Sequence, residues 1–180
     1  FMLVADEIDR VLPTIRSRCR LIRAGAPTRE QALEWLKSQG VQDAERKLTE
    51  AGGMPLAVFD EDARFRLADE TRERFLAYLR LGHAAPPAQA LSVADKDVTL
   101  SAAALFLSRW GWDLASAKVG CEPQYFPEFA EEIKTIAQAA NPTGLYTWIN
   151  SVRDIRRVSE HPLNAKTMIE ALLISYARNI

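Results

Sequence analysis

The pattern of apolar and polar positions predicts a chain that is mainly α-helical. After Gly25, apolar residues recur at helical spacing, beginning with Ala32 and Leu36, and no stretch alternates as a half-buried strand would. Two short apolar runs come earlier, FMLVA (residues 1–5) and RLIRA (residues 20–24). Their length and composition predict two strands. Two isolated strands do not make a stable sheet, so we expect this segment to be poorly packed without further partners.

Turn and cap residues divide the helical part of the chain. The signals in its first section are Thr28 with Gln31 for a capping box, Gly40 for a helix stop, Asp43 for a second cap and Pro55 for the first turn of a third helix. Three helices in so short a stretch predict a small module of their own.

A longer helical region follows from residue 62 to the end of the chain. The predicted helices cover roughly residues 62–81, 88–94 and 98–118, a stretch around Ile133 and Ile136, and two helices capped by Asn141 and Asn164. The aromatic residues of the long helices, Trp110 and Trp112 among them, follow helical spacing. We therefore expect them in the core.

Charge directs attention to the start of the chain. The 180 residues carry a formal net charge of −1, which is no signature of nucleic-acid binding. The first 25 residues differ, because five arginines stand there against three acidic residues, a net charge of +2. Any role that faces a phosphate is expected at this end. The apolar start at Phe1 also suggests a fragment cut within a larger domain.

Several other kinds of site are disfavoured. FMLVADE, with Asp6 and Glu7, looks like a Walker B strand, but the companion P-loop GxxxxGK[ST] is absent from the sequence. His83 and His161 stand apart with no ligand pattern around them, so no metal site is expected. The two cysteines form no disulfide framework, and no apolar run approaches membrane-spanning length.

The motif Ser17-Arg18-Cys19 changes the interpretation of the arginine-rich stretch. From spacing alone, Arg18 is a solvated arginine. However, the block FMLVADEIDRVLPTIRSRC resembles the sensor-1 strand, connecting turn and SRC motif of AAA+ clamp-loader subunits. The resemblance extends along the chain and implies three parts: residues 1–25 as the end of an AAA+ core domain, residues 26–61 as a three-helix lid domain, and residues 62–180 as a helical collar.

Two departures from the ATP-binding subunits favour one branch of that family. GGMPLAV puts Pro55 or Leu56 where those subunits have a sensor-2 arginine, and Ala5-Asp6 replaces a small polar sensor-1 residue. An intact SRC motif beside a defective nucleotide side resembles the delta prime family of bacterial DNA polymerase III. Members of that family are non-hydrolysing stators.

The resemblance implies a function and partners. Arg18 would be an arginine finger supplied in trans to ATP-Mg on a neighbouring gamma or tau subunit, with Ser17 and Cys19 placing it and Cys19 buried beneath the interface. Arg16, Arg20 and Arg23 would be solvated or interface residues. Delta, the sliding clamp and primed DNA would be further partners in the bacterial cytoplasm, with no membrane involved. The chain itself would hold no cofactor and catalyse nothing alone.

Two alternatives remain open. The chain could belong to a gamma- or tau-type ATPase subunit that binds its own nucleotide. It could instead be a helical interaction module without any contribution to catalysis.

Overall fold

The computed structural model describes residues 2–5, 11–22, 25–59, 67–94, 98–159, 161 and 164–180. Within these residues the chain is mainly α-helical, as predicted, and contains no strand. The α-helices are α1 (Pro13–Arg16), α2 (Arg29–Ser38), α3 (Ala44–Glu50), α4 (Asp69–Leu79), α5 (Ala90–Val93), α6 (Leu100–Lys118), α7 (Ala130–Ala139), α8 (Pro142–Val158) and α9 (Ala165–Asn179). Short 3-10 turns cover Leu56–Val58, Gly82–Ala84, Pro87–Gln89 and Pro127–Phe129.

The two predicted strands are not formed in residues 2–5 and 20–22, so that prediction is wrong there. Met2, Val4 and Ile22 expose more than four-fifths of their surface. A strand needs a neighbour for its N–H and C=O groups, and no described residue of this chain supplies one. The expectation that this segment would pack poorly is confirmed for its described residues, nearly all of which are exposed. The remaining residues of the two runs lie outside the described part of the chain.

Local caps define the first two helices of the three-helix module (residues 29–59). The Thr28–Gln31 capping box forms as predicted, with Gln31 N–H donating to Thr28 Oγ1 at 3.3 Å and Thr28 N–H donating to Gln31 Oε1 at 3.0 Å. At the other end of α2, Gly40 adopts φ +74°, which glycine reaches without a steric penalty. The Val41 N–H then donates to Leu36 O, which completes a Schellman motif.

Two details of this module differ from the prediction. Asp43 stands at the N-cap of α3, but it adopts a left-handed conformation and its side chain makes no capping hydrogen bond. Of the third helix, the described residues show only the 3-10 turn Leu56–Val58 that follows Pro55. A small core joins α2 and α3, and its buried members are Ala32, Leu36, Ala44 and Leu48.

The helical bundle (residues 67–180) contains the large core of the molecule. The central helix α6 packs against α7, α8 and α9, and one continuous buried cluster connects all of α4–α9. Asn141 and Asn164 cap α8 and α9 through their side chains, as predicted. The helix predicted over residues 62–81 is α4, which begins at Asp69. Residues 60–66, with the predicted domain boundary, lie outside the described part.

Aromatic residues with polar tips connect the centre of the bundle. Trp110 Nε1 donates to the Tyr176 hydroxyl at 3.3 Å, and that hydroxyl donates to Leu79 O at 2.6 Å. Burial raises the pKa of Tyr176, which keeps this hydroxyl protonated as a donor. Trp148 Nε1 donates to Leu172 O at 3.0 Å. These contacts satisfy the buried polar atoms that a tryptophan or tyrosine brings into a core.

Trp112 corrects the prediction that the aromatic residues of the long helices are core. Trp110 is fully buried, but Trp112 exposes 58% of its surface. Two residues along a helix correspond to a rotation of about 200°, so the two side chains leave α6 on different faces. A separate finding concerns membranes: among the described helices, none combines the length and the apolar character that crossing a bilayer requires.

Candidate functional site

Ser17, Arg18 and Cys19 form the turn that follows α1. The Arg18 guanidinium donates through Nη1 to Thr14 O at 2.7 Å, and Ser17 Oγ donates to the same carbonyl at 3.2 Å. The last carbonyl groups of a helix lack an intrahelical donor, and a cation at that end also suits the helix dipole. Two of the three motif side chains therefore hold the end of α1, and the guanidinium is fixed at one nitrogen.

The fixed arginine keeps most of its donors. A guanidinium carries five N–H groups in one plane, of which the bond to Thr14 O engages one. Arg18 is exposed, as is every residue from Leu12 to Ile22. A planar group that is held at one nitrogen and is otherwise exposed can donate two parallel hydrogen bonds to the oxygens of a phosphate or carboxylate.

The other residues expected around Arg18 do not gather into a site with it. Arg16 and Arg20 are exposed, and Arg23 lies outside the described residues. Cys19, which was expected beneath an interface, is an exposed thiol in this chain. Burial of Cys19 would therefore require a second molecule or a further segment against this surface.

The residues that the sequence analysis considered for nucleotide or metal binding form no further site among the described residues. Asp6 and Glu7 lie outside the described residues, and Ala5 is exposed with no regular structure. Leu56, one of the two residues expected at a sensor-2 position, exposes 67% of its surface in a 3-10 turn. His83 and His161 are exposed, and no group of three His, Cys, Asp or Glu side chains in the described residues could hold a metal ion.

A cleft of about 210 Å³ opens where the three-helix module meets the bundle. Arg46 and Glu50 of α3, Arg72 of α4, Arg109 of α6 and Tyr125 contribute to its walls. Glu50 Oε1 lies 4.0 Å from Nε of both Arg46 and Arg72. The Arg109 guanidinium lies over the Tyr125 ring, 5.8 Å from its centroid. Because Glu50 stands between two of the cations, the protein's own carboxylate offsets part of their charge.

Sequence reasoning missed Asp113, the one fully buried carboxylate among the described residues. Its two oxygens accept backbone hydrogen bonds from Gln124 (2.8 Å), Tyr125 (2.9 Å) and Phe126 (2.7 Å). Burial raises the pKa of Asp113, and the three N–H donors oppose that rise. An acidic residue in the middle of an apolar helix, between Trp112 and Leu114, was the available signal.

Comparison with known proteins adds no relative. No protein-family model matches the chain, and neither curated proteins nor solved structures give a significant match.

Proposed function

We propose that this chain belongs to a delta-prime-type subunit of a bacterial clamp loader, a stator that supplies Arg18 in trans to ATP on a neighbouring subunit. The observation that carries the proposal is the SRC turn, in which the Arg18 guanidinium is anchored on Thr14 O while the residue stays exposed. The bond to Thr14 O completes the end of α1, and it also restrains the Arg18 side chain. An arginine that must meet a phosphate gains from it, because less side-chain freedom is lost on contact.

The surface around Arg18 supports the same proposal. Leu12, Ile15, Leu21 and Ile22 expose between 39% and 81% of their surface on both sides of the motif. Exposed apolar side chains that border a charged group are typical of a surface that another protein covers. The neighbouring gamma or tau subunit would cover this one, and Cys19 would become buried in the same contact.

The proposed chemistry is hydrolysis of ATP held by the neighbour. Water attacks the γ-phosphorus, the bond from that phosphorus to the bridging oxygen breaks, and ADP and phosphate leave. Negative charge develops on the transferring group and the leaving oxygen, where the guanidinium plane donates hydrogen bonds. Arginine fingers contribute on the order of 10³–10⁵ in rate in well-characterised nucleotide hydrolases.

The test replaces Arg18 in the full-length protein assembled with gamma or tau and delta. We expect Arg18→Ala to leave assembly intact, because one arginine is a small part of a large interface, and to lower DNA-stimulated ATP hydrolysis by at least tenfold. Arg18→Lys should rescue little, since an ammonium keeps the charge but loses the planar donor fork. Steady-state phosphate release and gel filtration of the assembly measure the two effects.

Arg16→Ala is the matched control, because it removes the same charge two residues away. We expect it to keep most of the ATPase activity. Equal losses from Arg16→Ala and Arg18→Ala would indicate a diffuse basic surface and contradict the role of Arg18 as a finger.

The gamma- or tau-type alternative is separated by nucleotide binding. A non-hydrolysing stator should give no saturable heat when the full-length protein is titrated with MgATP. Micromolar binding would contradict the stator proposal and favour an ATPase subunit.

A purely structural interaction module is favoured by one observation, the exposure of Trp112 on α6 (58%) and of Val119 directly after α6 (69%). For that function, Arg18→Ala would leave the partner's ATPase unchanged, while Trp112→Ala would weaken association.

A further inference from the structure

We propose that Asp113 is a positioning residue that sets the orientation of the three-helix module on the bundle, through the junction loop of residues 124–128. This inference goes beyond the proposed function and does not depend on it. It rests on a continuous series of contacts from the centre of α6 to the backbone of the module.

The first step of that series is inside the bundle. Asp113 is fully buried on α6, and both of its oxygens are used by backbone N–H groups of the junction loop. Three consecutive residues, Gln124 to Phe126, donate to this single carboxylate. Hydrogen bonds to a charged acceptor are stronger than neutral ones, so the carboxylate determines the path of this stretch of loop.

The second step joins the loop to the module. Gln124 Nε2 donates to Gly52 O at 2.5 Å, across 72 positions of sequence. The Tyr125 ring lies so close to Gly52 that a β-carbon there would stand 2.6 Å from ring atom Cε1. Gly52 also has φ +64°, which again favours glycine. The two neighbouring loop residues held by Asp113 are thus the ones that contact the end of the module.

The third step is an ion pair on the flank of the same junction. Arg72 Nη2 of α4 lies 3.2 Å from Oε1 of Glu128 in the junction loop, and Arg72 Nε lies 4.0 Å from Oε1 of Glu50 on α3. These groups are partly exposed, and pairs of this kind contribute little to stability. Their geometry still adds a second tie between the same two parts. The loop therefore has contacts to both bodies, and Asp113 is its fixed end.

The test measures distance across the junction in the whole chain. Cys19 and Cys121 are replaced by serine, and nitroxide labels are attached to cysteines at two exposed helical positions, Glu34 on α2 and Asn150 on α8. Double electron–electron resonance then reports the distance distribution between module and bundle. We expect one narrow distribution for the parent protein.

Two substitutions along this series of contacts should change the distance distribution. Asp113→Asn leaves only one acceptor oxygen for three N–H donors, so we expect a broader or shifted distribution and a lower denaturation midpoint. Gln124→Ala keeps the backbone donors of the loop but removes the bond to Gly52 O. We therefore expect it to broaden the distribution while the denaturation midpoint stays close to that of the parent.

Two control variants separate a change in the position of the module from a change in the stability of the protein. Gln138→Ala makes the same change at another exposed glutamine, on α7, and should leave the distribution narrow. Ile169→Val removes one methyl group from the core and should lower the midpoint without changing the distribution. If Gln124→Ala leaves the distance distribution unchanged, the proposal is overturned. This result decides the matter even if Asp113→Asn does not fold. The proposal is also overturned if Ile169→Val broadens the distance distribution as much as Gln124→Ala does.

Discussion

The start of the chain and the helical bundle contain similar side chains with opposite fates. Leu12, Leu21 and Ile22 are exposed, whereas Leu107, Leu114 and Ile133 are fully buried. The two sets of side chains are equally hydrophobic. They differ in whether other parts of the chain pack against them. Helices α6–α9 cover one another within this chain, while the described residues leave the surface around Arg18 uncovered. Burial therefore indicates where the chain is self-sufficient, and exposure indicates where we expect another surface to dock.

The largest expected effect compares a core residue with an apolar residue of the first segment. Trp110→Ala should lower the free energy of unfolding by about 3–5 kcal/mol, because it leaves a large cavity and removes the bond to Tyr176. Ile22→Ala should change it by no more than about 0.5 kcal/mol, since Ile22 is 81% exposed. Urea denaturation followed by circular dichroism measures both. A loss of several kcal/mol in Ile22→Ala would show that the first segment packs on the bundle in solution.

A second comparison uses two glycines and a smaller change. A β-carbon at Gly144 on α8 would run into the backbone carbonyl oxygen of Asn179 on α9, whereas one at Gly25 would meet nothing within 4 Å. Gly144→Ala should therefore cost about 1–3 kcal/mol through overpacking. Gly25→Ala should be neutral to within about 0.5 kcal/mol. Thermal unfolding of both variants tests this, and a stable Gly144→Ala protein would mean that α8 and α9 are farther apart.

The smallest expected effect is the pH dependence that Asp113 contributes. Burial raises its pKa in the folded protein above the ordinary value of 3.8, so the folded state holds the proton to higher pH than the unfolded state does. The stability from this group is then present below pH 3.8 and is lost as pH rises through the folded pKa. We expect the advantage of the parent over Asp113→Asn to shrink as pH rises through that window. An advantage that grows instead would mean that the three N–H donors outweigh burial.

Helix boundaries were predictable because their causes are local. The capping box at Thr28, the stop at Gly40 and the caps at Asn141 and Asn164 are completed by residues within about three positions. The failures have non-local causes. The strands predicted near the start of the chain need hydrogen-bonding partners from other segments, and no described residue supplies them.

The candidate site likewise has a part that local sequence predicted and a part that depends on distant or separate groups. The motif Ser17-Arg18-Cys19 was visible in the sequence, and its anchor, Thr14 O, is four residues from Arg18. The proposal that Arg18 serves a neighbouring ATPase stays a prediction, because it depends on a second protein.

The sequence by itself determined where α2, α8 and α9 begin, through their capping residues, and which tripeptide carries candidate chemistry. Only the tertiary structure decided that Trp110 is buried while Trp112 is exposed, since both are apolar and either face of α6 could have met the core. It also decided that Asp113 holds the junction loop. The three N–H groups that this carboxylate binds lie 11 to 13 positions away along the chain, and the module that their loop contacts lies farther still. Contacts over such separations depend on how helices pack, which no local pattern specifies.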